Sequence, residues 1–479
     1  MIVFTLTPYG RFRINKGFHL VSDNWNDYGF YTLFKLFYID DLLHETEIGH
    51  LKIGFRGQEE GATSLPTNFY ELGDEYFSLG FNLDYYSNLR DLGDEVRIKC
   101  LKGLNDIAYN EQIYKQVINE EVVKTSLLRQ TNIKTVNNQY RRIAHGGSTL
   151  TEFNFNFNIP GIQDSFKFEV IPESLPPTNI HTIIGTNGSG KTTTLKGIVS
   201  GYLNEELNED FSNAIYISFS IFDQHNSTEG NHKDYYYVGA KDGLKTKSQK
   251  DLKREFNKSI YNIFLKKRHH IFEKVFNILR ADYNLDSIGF NELLSDFSSS
   301  VYNDPINTDI QNTEFSKVFS TLSSGHQIIL LSMAKLVELV VEKTLIIIDE
   351  PETHLHPPLL SAFVRAISDI TTTHNAVAIL ATHSPVVLQE VPRSCVSIIR
   401  KFGSNIAIQK PRFETFGENV AVLTEEVFGL EIPKTGFHTL LRKKVEELRD
   451  YDTVLDAFNN ELSIEAKSII RTYLNELED

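Results

Sequence analysis

Gly185-Thr186-Asn187-Gly188-Ser189-Gly190-Lys191-Thr192 follows an apolar run, Ile180 to Ile184, and opens a helical pattern. It fits GxxxxGK[ST] in the strand-loop-helix setting that this pattern requires. Glycines let successive backbone N–H groups turn inward around a phosphate, and the following helix adds the positive end of its dipole. Lys191 is placed to neutralise the β and γ oxygens of a nucleoside triphosphate, and Thr192 offers a hydroxyl to Mg2+. Gly185, Asn187, Gly188, Ser189, Gly190, Lys191, Thr192 and Thr193 are the expected nucleotide-binding residues.

Further along the chain, Leu345-Ile346-Ile347-Ile348-Asp349-Glu350 reads as a strand buried on both faces that ends in two carboxylates. The carboxyl ends of strands are where α/β sheets bind ligands. Such a strand also occurs as plain structure, and the glycine-rich loop upstream is what gives it meaning. Asp349 is then placed to hold Mg2+, and Glu350 to orient or deprotonate an attacking water. Leu322-Ser323-Ser324-Gly325-His326-Gln327 precedes a helical run, Ile328 to Val340. It offers a serine hydroxyl, backbone N–H groups and a helix N-terminus to a phosphate, or else simply a serine-capped helix start. Thr382-His383-Ser384 follows the strand Val377 to Leu380, and Gln224 lies in a polar loop after the strand Ala214 to Ser218.

The order of these five features, over about residues 150 to 400, resembles the ABC family of ATPases: P-loop, Q-loop, LSGGQ signature, acidic pair, switch histidine. In the signature Ser323 and Gly325 match, whereas Ser324 and His326 depart from the commonest residues. The resemblance implies an α/β head of the ABC-type P-loop ATPases with a helical lid, binding ATP and Mg2+ between two copies of itself. It implies Glu350, His383 and Gln224 as catalytic residues, and Thr192, Asp349 and Gln224 as the metal's neighbours. Ser323, Ser324 and Gly325 would face the nucleotide of the partner copy. The run from Glu350 to Pro357, Glu-Pro-Glu-Thr-His-Leu-His-Pro, departs from the D-loop of transporters. It resembles the EPE-x-x-LHP version of the SMC, RecF and OLD-like branch, which includes the ATPase subunits of bacterial antiphage systems such as Septu. Glu414-Thr415-Phe416-Gly417-Glu418-Asn419 looks like the same branch. The function this implies is an ATPase subunit that senses a cue and controls a separately encoded effector, a nuclease. The alternatives are an ABC transporter subunit, a DNA-repair or SMC-like ATPase, and a scaffold that uses ATP only to assemble.

The rest of the sequence sets bounds. At 479 residues the chain is expected to form more than one domain. The reading is an α+β module over 1–147, the ATPase head over 148–435 with a helical lid over about 240–322, and a helical tail over 436–479. Strands up to about residue 60 are expected to be antiparallel, and the pattern turns helical from about 68. A net charge of -15 argues against bulk attraction to nucleic acid or anionic membrane. Residues 241–270 run the other way, with ten Lys or Arg against three acids, which reads as a nucleic-acid face or as the polar side of an amphipathic helix. Two cysteines, no basic-then-apolar leader and no long apolar run point to the cytoplasm. Asp450-Tyr451-Asp452 reads as a solvated helix face rather than a metal site, and the stretch after His383 is too short for the Toprim nuclease of OLD proteins.

Overall fold

The computed structural model describes residues 2–7, 14–147, 149–158, 165–204, 207, 210–219, 234–239, 241–242, 245–266, 268–289, 293–294, 314–402, 405–429 and 436–478. Its first sheet has six strands: β1 (Phe4–Thr7), β2 (Gly17–Ser22), β3 (Leu33–Ile39), β4 (Glu45–Phe55), β5 (Asn68–Phe69) and β6 (Tyr76–Gly80), in the order β5-β1-β2-β3-β4-β6. The expected antiparallel pairing fails in two places: β1 and β2 run parallel with Phe4 opposite Phe18, and the short pair Phe30–Tyr31 and Gly61–Ala62 is parallel too. Phe4 stacks between Phe18 and Phe69, with ring centroids 4.7 and 5.0 Å away. Alternation in sequence marks a strand but carries no information about its neighbour's direction.

A second correction concerns the stretch from residue 68, read as helical. It holds β5 and β6, and helices begin only at α1 (Leu83–Asp91), capped by Asn82, followed by α2 (Asp94–Gly103) and α3 (Glu111–Val117). Four successive residues of β6 are buried, and a short run covered on both faces cannot be told from a buried helical turn by periodicity. Two π-helical segments follow, Val123–Leu127 and Val136–Tyr140. Helices and sheet share one core, in which Phe18, Leu36 and Phe77 meet Tyr85, Leu89 and Leu101.

After the antiparallel pair β7 (Phe153–Asn158) and β8 (Ser165–Val170) come β9 (Ile180–Gly185), α4 (Lys191–Leu203), β10 (Asn213–Ser218), β11 (Tyr235–Gly239), α5 (Gln249–Leu265), α6 (His269–Leu279), α7 (Ser324–Leu339), β12 (Thr344–Asp349), α8 (Pro357–Thr373), β13 (Val377–Thr382), β14 (Val396–Phe402) and β15 (Asn405–Gln409). The seven-stranded sheet runs β11-β10-β12-β13-β9-β14-β15, parallel except for the closing hairpin. Every residue of β9, β10, β12 and β13 is buried, as a parallel sheet covered on both faces requires. Residues of α5 to α8 cover one face, and α4 with β7 and β8 covers the other. Three further helices, α9 (Gly436–Leu448), α10 (Tyr451–Ala457) and α11 (Ile464–Glu478), pack on one another around Leu441, Val445, Val454 and Ile470.

The order β12-β13-β9 places three strand ends side by side. Ile184 of β9 lies opposite Thr382 of β13, and Ala381 of β13 lies opposite Asp349 of β12. The glycine-rich loop, the acidic pair and His383 therefore leave the sheet along one edge.

Candidate functional site

Gly185 ends β9 where no side chain fits: a Cβ there would lie 2.5 Å from the Ile399 carbonyl oxygen and 2.9 Å from Ser189 Oγ. Gly188 and Gly190 take φ of +75° and +102°, conformations that cost glycine little. A Cβ on Gly188 would meet nothing within 4 Å, so the loop presents its backbone to open space. Lys191 is buried and bends back over the loop, its Nζ donating to the carbonyls of Gly185 at 3.0 Å and Thr186 at 3.2 Å. Burial holds this ammonium below its ordinary pKa, opposed by the nearby charges of Glu350, Glu352 and Asp349. Thr192 is half-buried, Asn187 and Thr193 are exposed, and the buried Ser189 Oγ has no hydrogen-bond partner among the described residues.

Asp349 is buried at the end of β12, where Tyr216 Oη donates to its Oδ2 at 3.4 Å. The chain then turns sharply. Glu350 takes φ +50° and ψ +56°, and its N–H bonds to the Ala381 carbonyl at 2.9 Å. A non-glycine residue in this left-handed region costs about 1–3 kcal/mol, and such outliers gather at functional sites. The side chain stays half-exposed, close enough for its charge to act on Lys191. Thr192 and Asp349 supply oxygen donors of the kind Mg2+ prefers, so the residues present fit that ion beside bound phosphates.

Glu352 is a site residue that the motif reading passed over. Its carboxylate accepts from the backbone N–H of His383 at 2.5 Å and from His383 Nδ1 at 2.9 Å. The hydrogen bond to Glu352 raises the His383 imidazole above its ordinary pKa against partial burial. Burial alone would raise the Glu352 carboxyl, but the bonds from His383 outweigh it and hold the group low. The two glutamates of Glu350-Pro351-Glu352 were the available signal.

The signature segment starts α7. Ser323 caps the helix, accepting from the His326 N–H, and lies 2.6 Å from His326 Nδ1. His326 Nε2 reaches Asp282 Oδ1 at 3.2 Å, and His356 Nε2 reaches Asp282 Oδ2 at 2.7 Å. The departure at position 326 thus joins the signature serine, through a buried aspartate, to the histidine that caps α8. Burial raises the Asp282 carboxyl, but backbone N–H groups and the two histidines more than reverse it. Asp282 carries no motif, so nothing in the sequence marks it. Ser323 and Ser324 are exposed, Gly325 is buried against His354, and among the described residues no hydrogen bond or ion pair links these three to the P-loop.

Other expectations fall differently. Gln224 lies outside the described residues. In the basic stretch, Lys247 pairs with Glu255, Lys266 binds the Glu338 carbonyl, and Arg268 binds the carbonyls of Glu338 and Val340; Lys267 lies outside the described residues. Lys266 and Arg268 therefore cap the end of α7 rather than face solvent, and the exposed cations left on α5 are Lys250, Arg254 and Lys258. Asp450 caps α10 and Asp452 is exposed. Among the described residues no cluster of three metal-ligating side chains exists, and no helix is long and apolar enough to cross a membrane.

Residues 223–389 match a family described as "AAA domain, putative AbiEii toxin, Type IV TA system". With the glycine-rich loop upstream, this makes the region a P-loop ATPase domain of the SMC, RecF and OLD-like class. Over 502 aligned positions the chain is also 36% identical to Protein ea59 of Escherichia phage lambda, across 96% of this chain and 95% of that one.

Proposed function

The chain belongs to the family of the phage lambda protein ea59, and from that premise we propose that it is an ATP-driven switch of the ABC type, acting in phage–host conflict on a separately encoded effector, a nuclease. The observation that carries the ATPase half is the cluster at one sheet edge: Lys191, Asp349, Glu350, and His383 held by Glu352. Supporting the conflict half are the phage origin of the relative and the toxin–antitoxin description of the matched family.

In this reading Lys191 swings from its carbonyls to the β and γ oxygens of ATP. Glu350 accepts the proton of a water whose oxygen bonds to the γ-phosphorus as the bond to the bridging oxygen of ADP breaks. His383, positioned by Glu352, donates to the γ-phosphate. Mg2+ beside Thr192 and Asp349 would neutralise phosphate charge when bound. A pure assembly scaffold has no use for a strained carboxylate in front of the P-loop, and a transporter subunit has none for the N-terminal core. For Lys250, Arg254 and Lys258 we propose a nucleic-acid cue; reversing their charge without changing the salt dependence of nucleic-acid binding would remove that partner.

The test is Glu350→Gln beside Lys191→Ala. Glu350→Gln should keep ATP affinity and lose roughly 10²- to 10⁴-fold in phosphate release, whereas Lys191→Ala should lose affinity itself. Expressed with its neighbouring genes in a bacterium challenged with phages, the wild type should lower plating and both variants should not. Equal plating would end the conflict assignment, and unchanged phosphate release in Glu350→Gln would end the catalytic one.

A further inference from the structure

A cavity of about 200 Å3 lies away from the P-loop, between the helices of the N-terminal core and the α5–α8 side of the parallel sheet. Three of its polar atoms stand out. Thr135 Oγ1, Gln139 Nε2 and Gln130 Nε2 are buried and line the cavity, yet no described residue hydrogen-bonds to them. Thr135 and Gln139 are only 5% and 3% exposed. The amide of Gln130 is oriented by chemistry, because its Oε1 accepts from the Lys52 ammonium at 2.5 Å, which leaves the NH2 as the end without a partner among the described residues. Buried donors left unmatched are costly. Gln139 and Tyr140 also belong to the π-helical segment Val136–Tyr140, a rare backbone form that is frequent at functional sites.

We propose that this cavity is a binding site for a nucleobase, free or as its nucleoside. Two amide NH2 groups and a hydroxyl ask for a ligand edge rich in acceptors, which the carbonyls and ring nitrogens of a base supply. Phe81, Ile271 and Val341 give the wall apolar surface between polar and acidic side chains that include Asp84, Glu342 and Asp369. A cavity of about 150 Å3 holds a benzene ring, so this one takes a one- or two-ring body but not a nucleotide with its phosphates. Charge agrees. The cations that line it are committed: Lys274 to Asp369 at 2.6 Å, Arg268 to the Val340 carbonyl at 2.7 Å, Lys266 to the Glu338 carbonyl at 3.0 Å. Each of these three already holds an oxygen partner, and the carboxylates of Asp84, Glu342 and Asp369 in the same wall disfavour a phosphate or carboxylate. A neighbouring cleft shares Phe81, Asn82, Asp84 and His270 with the cavity, which gives a sugar somewhere to extend.

The cavity also touches the signature helix, since Val340 and Val341 in its wall directly follow α7, whose last carbonyls Lys266 and Arg268 hold. Occupancy bears on the opposite end of the helix that Ser323 begins. That consequence rests on the ATPase reading above; the binding site does not.

The experiment is saturation-transfer NMR on the full chain with adenine, guanine, cytosine and uracil and their ribonucleosides. At least one should bind the wild type and also Lys191→Ala, which separates this site from the P-loop. Thr135→Val/Gln139→Leu keeps the side-chain sizes and should bind about ten-fold more weakly or worse, the effect of about 1.4 kcal/mol, with its folding checked by melting temperature. Binding of bases alone points to a free base, and binding of nucleosides to the larger form. Failure of all eight compounds, unchanged binding in the double variant, or loss of binding in Lys191→Ala overturns the site. If a bound compound leaves the wild-type rate of phosphate release unchanged, the link to α7 is overturned and the site is not.

Discussion

His383 is set by Glu352 more than by the strand that delivers it. One carboxylate oxygen takes both the backbone N–H and the ring nitrogen, so position and protonation are fixed together. The sign of the pH dependence follows. His383 has its folded pKa raised above the usual value of about 6.5, so its contribution to stability is complete below that value and is lost as pH rises through the raised one. Glu352 has its pKa lowered, so its contribution is present above the ordinary glutamate range and is lost as pH falls through the lowered one. The pair is strongest between those limits. NMR titration with labelled histidine should find His383 titrating above about 6.5 in the wild type and dropping toward or below that in Glu352→Gln. A His383 midpoint that does not move in the variant would show that the pairing is not what sets it.

At the scale of elements, α7 is fastened at both ends, at its start by Ser323, His326 and Asp282 and at its finish by Lys266 and Arg268. Gly325 has a role here apart from any phosphate. A Cβ on it would sit 2.5 Å from the carbonyl oxygen of His354, in the turn that follows Glu350. The absent side chain lets the start of α7 pack directly on the turn that follows Glu350. Gly325→Ala should therefore cost about 1–3 kcal/mol, the usual penalty of overpacking, seen as a lower denaturation midpoint with an unchanged m-value; a variant as stable as the wild type would refute the close packing. The same elements show what the sequence conveys and what it withholds. β9, β12 and β13 are legible because a strand buried on both faces must be apolar throughout, and the residues at their ends are legible because phosphate chemistry needs those types in that order. Asp282 is not legible, because it meets His326 only after α7 and α8 have packed. The direction of β1 and the strand character of β6 are hidden for the same reason, being decided by partners that residue patterning does not name. Lys266 and Arg268 look like surface charge in the sequence, and only the fold turns them onto carbonyls.

For the molecule as a whole, the pressing question is how the exposed signature can work when nothing described ties it to the P-loop of its own chain. Beyond capping its helix, Ser323 can serve ATP chemistry only where it and the helix N-terminus meet a phosphate. Each chain holds one P-loop and one signature, and the economical arrangement is a two-fold dimer in which Ser323 and Gly325 of one copy close over ATP held by Lys191 and Thr192 of the other. Such an interface would be isologous and would make two equivalent sites, with ATP binding the copies together. The network from Ser323 through Asp282 to His356 would then keep the serine aimed before a partner arrives. Mixing separates this arrangement from its rivals. A Lys191→Ala chain and a Ser323→Arg chain should each be nearly inactive alone. In the mixed dimer one site combines both lesions, while the other pairs an intact P-loop with an intact signature, so ATPase activity should return on mixing once subunits exchange. With exchange shown independently by differently tagged chains, continued inactivity would sink the shared site, as would a wild-type monomer whose specific rate does not change with protein concentration.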